Sequence, residues 1–213
     1  MKICGLDEAG KGPVIGPLVI CGVMVEEKDI PKLKELGAKD SKLLTPKSRE
    51  RIGAEIEKIV KFTFQVVTPK EIDETLRTSG TNLNQLEAVR IAMIINDLNP
   101  DKAIVDCPSP NIKAYTEQVR IYLKNKNTEL VFAHKADAKY EVVAAASILA
   151  KVLRDKEIAG LKASIGKDFG SGYPADPRTV KFIEDHADEY PELFRHEWAT
   201  MKRRKGRTKL TDF

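Results

Sequence analysis

Apolar and β-branched residues dominate two early stretches, Ile3 to Asp7 and Val14 to Val25. Gly10-Lys11-Gly12-Pro13 between them reads as a tight turn, so the pattern predicts a β-hairpin. Thr45-Pro46 opens a charged amphipathic stretch to about Val60 with proline in its first turn, which predicts a helix. Phe62 to Val67 alternates as a strand does. From Asn82 the apolar positions Leu83, Leu86, Val89, Ile91, Ile94, Ile95 and Leu98 lie close to a helical stripe, which stops at Asn99-Pro100. Ala103 to Asp106 and Glu129 to Ala133 predict short strands, and Asn111 to Tyr122 predicts a helix. Ala136 to Leu161 predicts a long helix with an alanine-rich centre, apolar on nearly every side and therefore buried. Beyond the loop Gly170-Ser171-Gly172-Tyr173-Pro174 two more helices are expected, at about 176–188 and 191–204. A strand hairpin followed by alternating helices and strands predicts an α/β fold with a mixed sheet.

A length of 213 residues suits one domain, with or without a small appendage, and allows a sizeable core. With 42% hydrophobic and 32% charged residues, the composition excludes disorder for most of the chain. Met1-Lys2 runs directly into Ile3-Cys4-Gly5-Leu6-Asp7 without the apolar stretch of a secretory leader. The longest apolar run, Val142 to Ala150, is too short for a bilayer and is interrupted by Ser147. The expectation is a cytoplasmic protein that does not enter a membrane. Cys4, Cys21 and Cys107 are far apart and lack C-x-x-C spacing, so buried reduced thiols are expected rather than disulfides or a zinc site.

The formal charge of +4 is concentrated at one end, because Lys202 to Lys209 holds six Lys or Arg and no acid; without them 30 basic residues face 32 acidic ones. Such a tail can meet nucleic-acid phosphates or can simply be a solvated, frayed end.

Candidate chemistry lies in acids at the ends of apolar elements. Asp7 and Glu8 close the first strand just before the glycine turn, and adjacent carboxylates repel, which a divalent cation would relieve. Asp106 ends Ala103-Ile104-Val105 in the same way, and Asp137 lies where His134-Lys135-Ala136-Asp137 enters the long helix. Taken singly, Asp106 could be a turn former, Asp137 a helix N-cap, and Asp7-Glu8 a polar strand end. Repetition of one arrangement at three separated places weakens those readings and leaves a metal site open, without establishing one. Gly10-Lys11-Gly12 offers backbone N–H groups that no side chain obscures to a sugar or phosphate, or forms only a hairpin turn. Tyr173, displayed on its glycine loop, could stack on a base or sugar.

Gly5-Leu6-Asp7-Glu8-Ala9-Gly10-Lys11-Gly12-Pro13 with Ile15-Gly16-Pro17 resembles the opening signature of the ribonuclease HII family, the type-II ribonucleases H, in an archaeal-like form. The resemblance continues through Asp40-Ser41-Lys42, His134-Lys135-Ala136-Asp137, Ala144 to Lys151, and Gly170 to Pro174 with Asp176-Pro177-Arg178-Thr179. It implies a ribonuclease H-like α/β core over residues 1–175, its mixed sheet flanked by helices, and a C-terminal helical segment over 176–213. Further implications are an acidic quartet of Asp7, Glu8, Asp106 and Asp137 holding two Mg²⁺ or Mn²⁺ ions, and an endonuclease. Such an enzyme hydrolyses the RNA strand of RNA/DNA hybrids and nicks on the 5′ side of single ribonucleotides in duplex DNA, leaving 5′-phosphates. In the family pattern the glycine turn, here Gly10, Lys11 and Gly12, senses the 2′-hydroxyl through its backbone while Tyr173 packs near the adjacent sugar. Lys11 replaces the usual Arg of that turn and lacks its planar fork. Lys39, Lys42, Lys135, Lys151 and Arg178 are candidate phosphate contacts.

The ending Arg207-Thr208-Lys209-Leu210-Thr211-Asp212-Phe213 resembles the peptide by which replication and repair proteins dock on the sliding clamp, with Leu210 and Phe213 as anchors and Arg207 where Gln is usual. A monomer is expected. Two other functions compete: a binding module that holds duplexes without cutting them, and a DNA-directed nuclease on the same core. The converging acids, which repel phosphates, argue against the first. The glycine turn and Tyr173, which a DNA-only enzyme does not need, argue against the second.

Overall fold

The computed structural model describes residues 1–38 and 44–204. Lys39, Lys42, Leu210 and Phe213 lie outside these residues. Two units are distinguished: the first contains Met1–Ala9, Val19–Val66 and Asn84–Leu153, the second Gly10–Leu18, Val67–Leu83 and the chain from Arg154 onward.

The first unit is built on a five-stranded sheet in the order β3-β2-β1-β4-β5, comprising β1 (Lys2–Ala9), β2 (Leu18–Glu26), β3 (Lys61–Val67), β4 (Lys102–Asp106) and β5 (Glu129–Ala133). β2 is antiparallel to β1, whereas β4 is parallel to β1 and β5 to β4, so the sheet is mixed as expected. Its helices are α1 (Ile30–Glu35), α2 (Pro46–Glu57), α4 (Leu83–Leu98), α5 (Ile112–Ile121) and the first half of α6 (Glu141–Ile165), to Leu153; α3 (Pro69–Arg77), α7 (Pro177–His186) and the rest of α6 belong to the second unit. Two glycines admit helices to opposite faces of the sheet. A Cβ on Gly5 would lie 2.3 Å from the Val142 carbonyl carbon at the start of α6, and one on Gly22 would lie 2.3 Å from Ile94 Cγ2 of α4. The register pairs Gly5 with Val23 and Leu6 with Gly22, which by strand alternation places the two glycines on opposite faces. The alanine-rich centre of α6, Val142 to Ala150, is buried throughout, as its all-round apolarity predicts. All three cysteines are buried and free.

Three details of the sequence reading are corrected. No tight turn joins β1 and β2: residues 10–17 leave the sheet and belong to the second unit. There the fully buried Val14 and Ile15 pack with Phe169, Phe182 and Phe194, and Ile15 forms an antiparallel bridge to Phe194. Their β-branched character expresses that core rather than an extension of β2. The long helix begins at Glu141, not at 136, because Ala136–Ala138 form a separate 3₁₀ turn entered through Lys135 at φ 55°. The stretch 191–204 is not one helix, since a 3₁₀ turn at Pro191–Leu193 and the extended Phe194 precede helical residues 199–204. The sequence reading also passed over α1 and α3. The latter carried a legible signal: Thr68 and Glu71 form a reciprocal capping box that spans Pro69.

Candidate active site

β1 carries Asp7 and Glu8 near its C-terminal end, and the parallel register Leu6 to Val105 sets Asp7 beside Asp106 at the end of β4. Successive residues of a strand face opposite sides, so Asp7 turns toward α6 and Glu8 toward the other face. The hydroxyl of Ser147, on α6, is hydrogen-bonded to the Asp7 carboxylate, whereas the charge of Glu8 is felt by the buried Tyr115 of α5. Lys151 Nζ donates to Ser147 Oγ at 2.9 Å, one helical turn along, and completes a Lys151–Ser147–Asp7 chain. The Glu8 N–H also donates to Asp7 Oδ1 at 2.7 Å. Despite these donors the Asp7 carboxyl is pushed up from 3.8 to about 7, first by burial and then by the charges of Asp106 and Glu8.

Asp106 Oδ1 accepts the Ala136 N–H at 3.0 Å, tying the end of β4 to the 3₁₀ turn in which the buried Asp137 follows. The fold therefore brings the expected acids to one end of the parallel strands and the turn after β5. Among the described residues, however, no group of three or more His, Cys, Asp or Glu side chains forms a ready cation cage. The donors suit a hard cation in kind, since all are carboxylate oxygens, and a cation would offset the mutual repulsion of Asp7, Glu8 and Asp106.

In the second unit the chain at Gly10-Lys11-Gly12 is held from behind. Arg195, fully buried, donates from Nη2 to Gly10 O at 2.6 Å, from Nη1 to Lys11 O at 2.9 Å and from Nε to Gly16 O at 3.0 Å. Its guanidinium lies 4.9 Å from the Trp198 ring centre, and Trp198 Nε1 donates to Gly12 O at 3.3 Å. A trans peptide directs its N–H opposite to its C=O, and there are no cis peptides among the described residues. With the Gly10 and Lys11 carbonyls drawn to Arg195, the N–H groups of Lys11 and Gly12 point away from it. Asp73 of α3 anchors the Arg195 segment by accepting the N–H groups of His196 and Glu197 at 2.8 and 2.9 Å.

The Tyr173 loop docks on the same turn. Gly172 O accepts the Val14 N–H at 2.8 Å, and a Cβ on Gly12 would lie 3.4 Å from the Tyr173 ring. That ring is 42% exposed and so available for stacking. The expected pairing of glycine turn and tyrosine is thus present within one unit.

Other candidates are placed differently. Lys135 is exposed beside Asp137. Arg178 is engaged by Asp168 at 3.3 Å and Asp176 at 3.2 Å, which braces the Gly170 loop. Of the basic tail, Lys202 pairs with Glu197 and Arg204 with Asp188. Sequence reasoning noticed Ser147 only as a break in an apolar run and as part of the Ala144–Lys151 match, and it missed Arg195 and Trp198, whose partners lie 179 to 186 residues earlier.

The model of the family "Ribonuclease HII" matches residues 4–201. The chain belongs to the ribonuclease HII family. It is 44% identical over 209 residues to the ribonuclease HII of Pyrococcus horikoshii, covering 95% of this chain and 92% of that one. The crystal structure of the ribonuclease H2 from Pyrococcus horikoshii OT3 superposes with a TM-score of 0.89 at 43% identity, over 98% of this chain and 99% of that one. The ribonuclease HII solved with PCNA from Archaeoglobus fulgidus gives 0.85 at 40% identity, over 93% and 95% of the two chains. Bst-RNase HIII, solved with Mn²⁺, gives 0.80 at 25% identity over 95% of this chain and 68% of that one. The α/β architecture is that of the ribonuclease H-like fold. Ribonucleases HII are endonucleases that cleave the RNA of RNA/DNA hybrids and use divalent metal ions.

Proposed function

We propose that this chain nicks duplex DNA on the 5′ side of a single embedded ribonucleotide, besides cutting RNA/DNA hybrids. The observation that carries the proposal is the turning of the Gly10 and Lys11 carbonyls onto Arg195. It directs the Lys11 and Gly12 N–H groups away from the Arg195 guanidinium, and Gly12 lies against the exposed Tyr173 ring. Two fixed donors suit a 2′-hydroxyl oxygen, which RNA has and DNA lacks. Because the donors are backbone groups, Lys in place of the family's usual Arg at position 11 does not remove them.

Asp7, Glu8, Asp106 and Asp137 would hold two divalent ions, Mg²⁺ or Mn²⁺. Bound there, such ions supply activation of the attacking water and stabilisation of the leaving 3′-oxygen. The protein's own part is orientation: Ser147 and Lys151 fix the Asp7 carboxylate, and the Ala136 N–H fixes that of Asp106. Lys39, Lys42, Lys135 and Lys151 are the proposed phosphate contacts. The complex with PCNA formed by the Archaeoglobus relative, together with the segment Leu210-Thr211-Asp212-Phe213, supports docking on a sliding clamp.

A labelled DNA duplex with one ribonucleotide, incubated with Mg²⁺ or Mn²⁺, tests the proposal. The expected product is a single nick 5′ to the ribonucleotide with a 5′-phosphate end, absent from an all-DNA duplex. Cleavage of a hybrid without that nick would overturn it.

A further inference from the structure

The second unit contains two buried arginines beside the glycine turn, and they are treated oppositely. Arg195 directs its donors into the carbonyls of Gly10, Lys11 and Gly16. Arg154, on α6, is only 7% exposed, yet its Nε and Nη2 have no hydrogen-bond acceptor, and no carboxylate pairs with it among the described residues. Asp155, the next residue, acts on it only through space. The compensation that remains is the face of Tyr173, whose ring centre lies 5.6 Å from Arg154 Cζ. A ring face answers part of the charge but none of the in-plane N–H groups. Burial accordingly holds the Arg154 pKa below the ordinary guanidinium value.

Position and shape identify what is missing. Gly10, at φ 90°, presses on this side chain so closely that a Cβ there would lie 2.3 Å from Arg154 Nε. The cation thus sits against the turn, behind Tyr173. Nε and Nη2 share one edge of the planar guanidinium, and their parallel N–H bonds match two oxygens of a single tetrahedral or carboxylate anion. In a ligand that places its sugar at the turn, the anion within reach is the backbone phosphate.

We propose that Arg154 is a phosphodiester-binding residue: its Nε–Nη2 edge takes the two non-bridging oxygens of one phosphate flanking the sugar at the glycine turn, in exchange for Tyr173. In the free protein the Tyr173 ring covers the guanidinium. When the ring turns onto nucleic acid, the phosphate replaces it as the partner of the charge. Tyr173 and Arg154 then engage the strand together, which couples recognition of the sugar to a grip on its phosphate. The inference rests on the reading of this turn as the sugar site.

The test is binding without cleavage, in chelator, by fluorescence anisotropy over a range of salt concentrations. The ligands are a single-ribonucleotide duplex and its versions with one neutral methylphosphonate at each linkage around the ribonucleotide. In R154M the slope of log affinity against log salt should fall by about 0.9, the value for one phosphate contact. One methylphosphonate position should weaken the wild-type protein several-fold and leave R154M unchanged. R154K, which keeps the charge, should retain the slope while losing part of the affinity. The proposal fails if both variants keep the wild-type slope, or if each methylphosphonate weakens wild type and R154M equally. Should R154M not fold, a wild-type scan in which no flanking linkage matters, or an R154K protein with wild-type affinity at every linkage, overturns it as well. Failure of the sugar reading is seen separately, as equal wild-type affinity for the ribonucleotide duplex and its all-DNA counterpart with no nicking, which leaves the salt slope to judge Arg154.

Discussion

Replacing Asp7 by Asn should make the metal-free protein more stable while abolishing its activity. The cause is the proton affinity of Asp7, raised from 3.8 to about 7 by burial and by two neighbouring carboxylates. Below pH 3.8 the group is protonated in both the folded and the unfolded chain and costs nothing. Between about pH 4 and 7 the folded chain keeps a proton that the unfolded chain has released, so stability falls as pH rises; above pH 7 the cost is complete. A rise of that size, at about 1.4 kcal/mol per tenfold change in proton affinity, sets a ceiling of about 4 kcal/mol. Asp7 is half-buried rather than sealed, and residual solvation brings the expectation to about 1–3 kcal/mol. For a chain of this length that is about 2–12 °C in Tm. The Asn side chain has nearly the same shape and can still accept the Glu8 N–H. Thermal unfolding of both proteins in chelator from pH 4 to 8.5 checks the argument. The two curves should coincide near pH 4 and separate with rising pH, Asp7→Asn staying higher, and saturating Mg²⁺ should narrow or reverse the gap. Parallel profiles, or an Asn variant less stable at pH 8, would refute the reasoning.

Arg195→Lys retains a charge but cannot serve three carbonyls, and at about 1–3 kcal/mol for each buried group left unsatisfied it should lower stability by about 2–4 kcal/mol. Nicking at a lone ribonucleotide should fall at least tenfold more than hybrid cleavage, and steady-state rates on both substrates with an unchanged ratio would contradict the turn's dependence on Arg195. Gly5→Ala sets a methyl group against the Val142 backbone and should cost about 1–3 kcal/mol, read as a lower denaturation midpoint at unchanged slope. Deleting Leu210 to Phe213 should leave cleavage of short free duplexes unchanged and abolish heat on titration with the sliding clamp; equal heats from both proteins would dispose of the docking peptide.

The parts of the fold legible in the sequence are those specified locally. Thr45-Pro46 marks the start of α2, and the stretch read from Asn82 to Leu98 is α4 but for its first residue. The buried centre of α6 is written in its own alanines. Legibility failed where a local pattern served a distant partner. Val14 and Ile15 have the composition of a strand, but the aromatic residues that cover them are Phe169, Phe182 and Phe194. The acids could be named because they end short apolar runs, and the parallel register of β1 and β4 that juxtaposes Asp7 and Asp106 is compatible with those runs without being implied by them. Arg154 and Arg195 carried no signal at all, since surface and buried arginines look alike in a sequence. Only the fold distinguishes the one whose donors are filled by carbonyls from the one whose Nε and Nη2 are not.

The bonds from Arg195 to Gly10, Lys11 and Gly16 also have a meaning in time. A ribosome makes the glycine turn well before its arginine brace, because 179 to 185 residues separate Arg195 from the three carbonyls it serves. The first unit can form its sheet once β5 and α6 have emerged, whereas the turn acquires its brace only after Arg195 has been added. Hydrogen exchange at residues 10–16 in chains ending at 194 and at 204 follows this directly, and protection is expected only in the longer one.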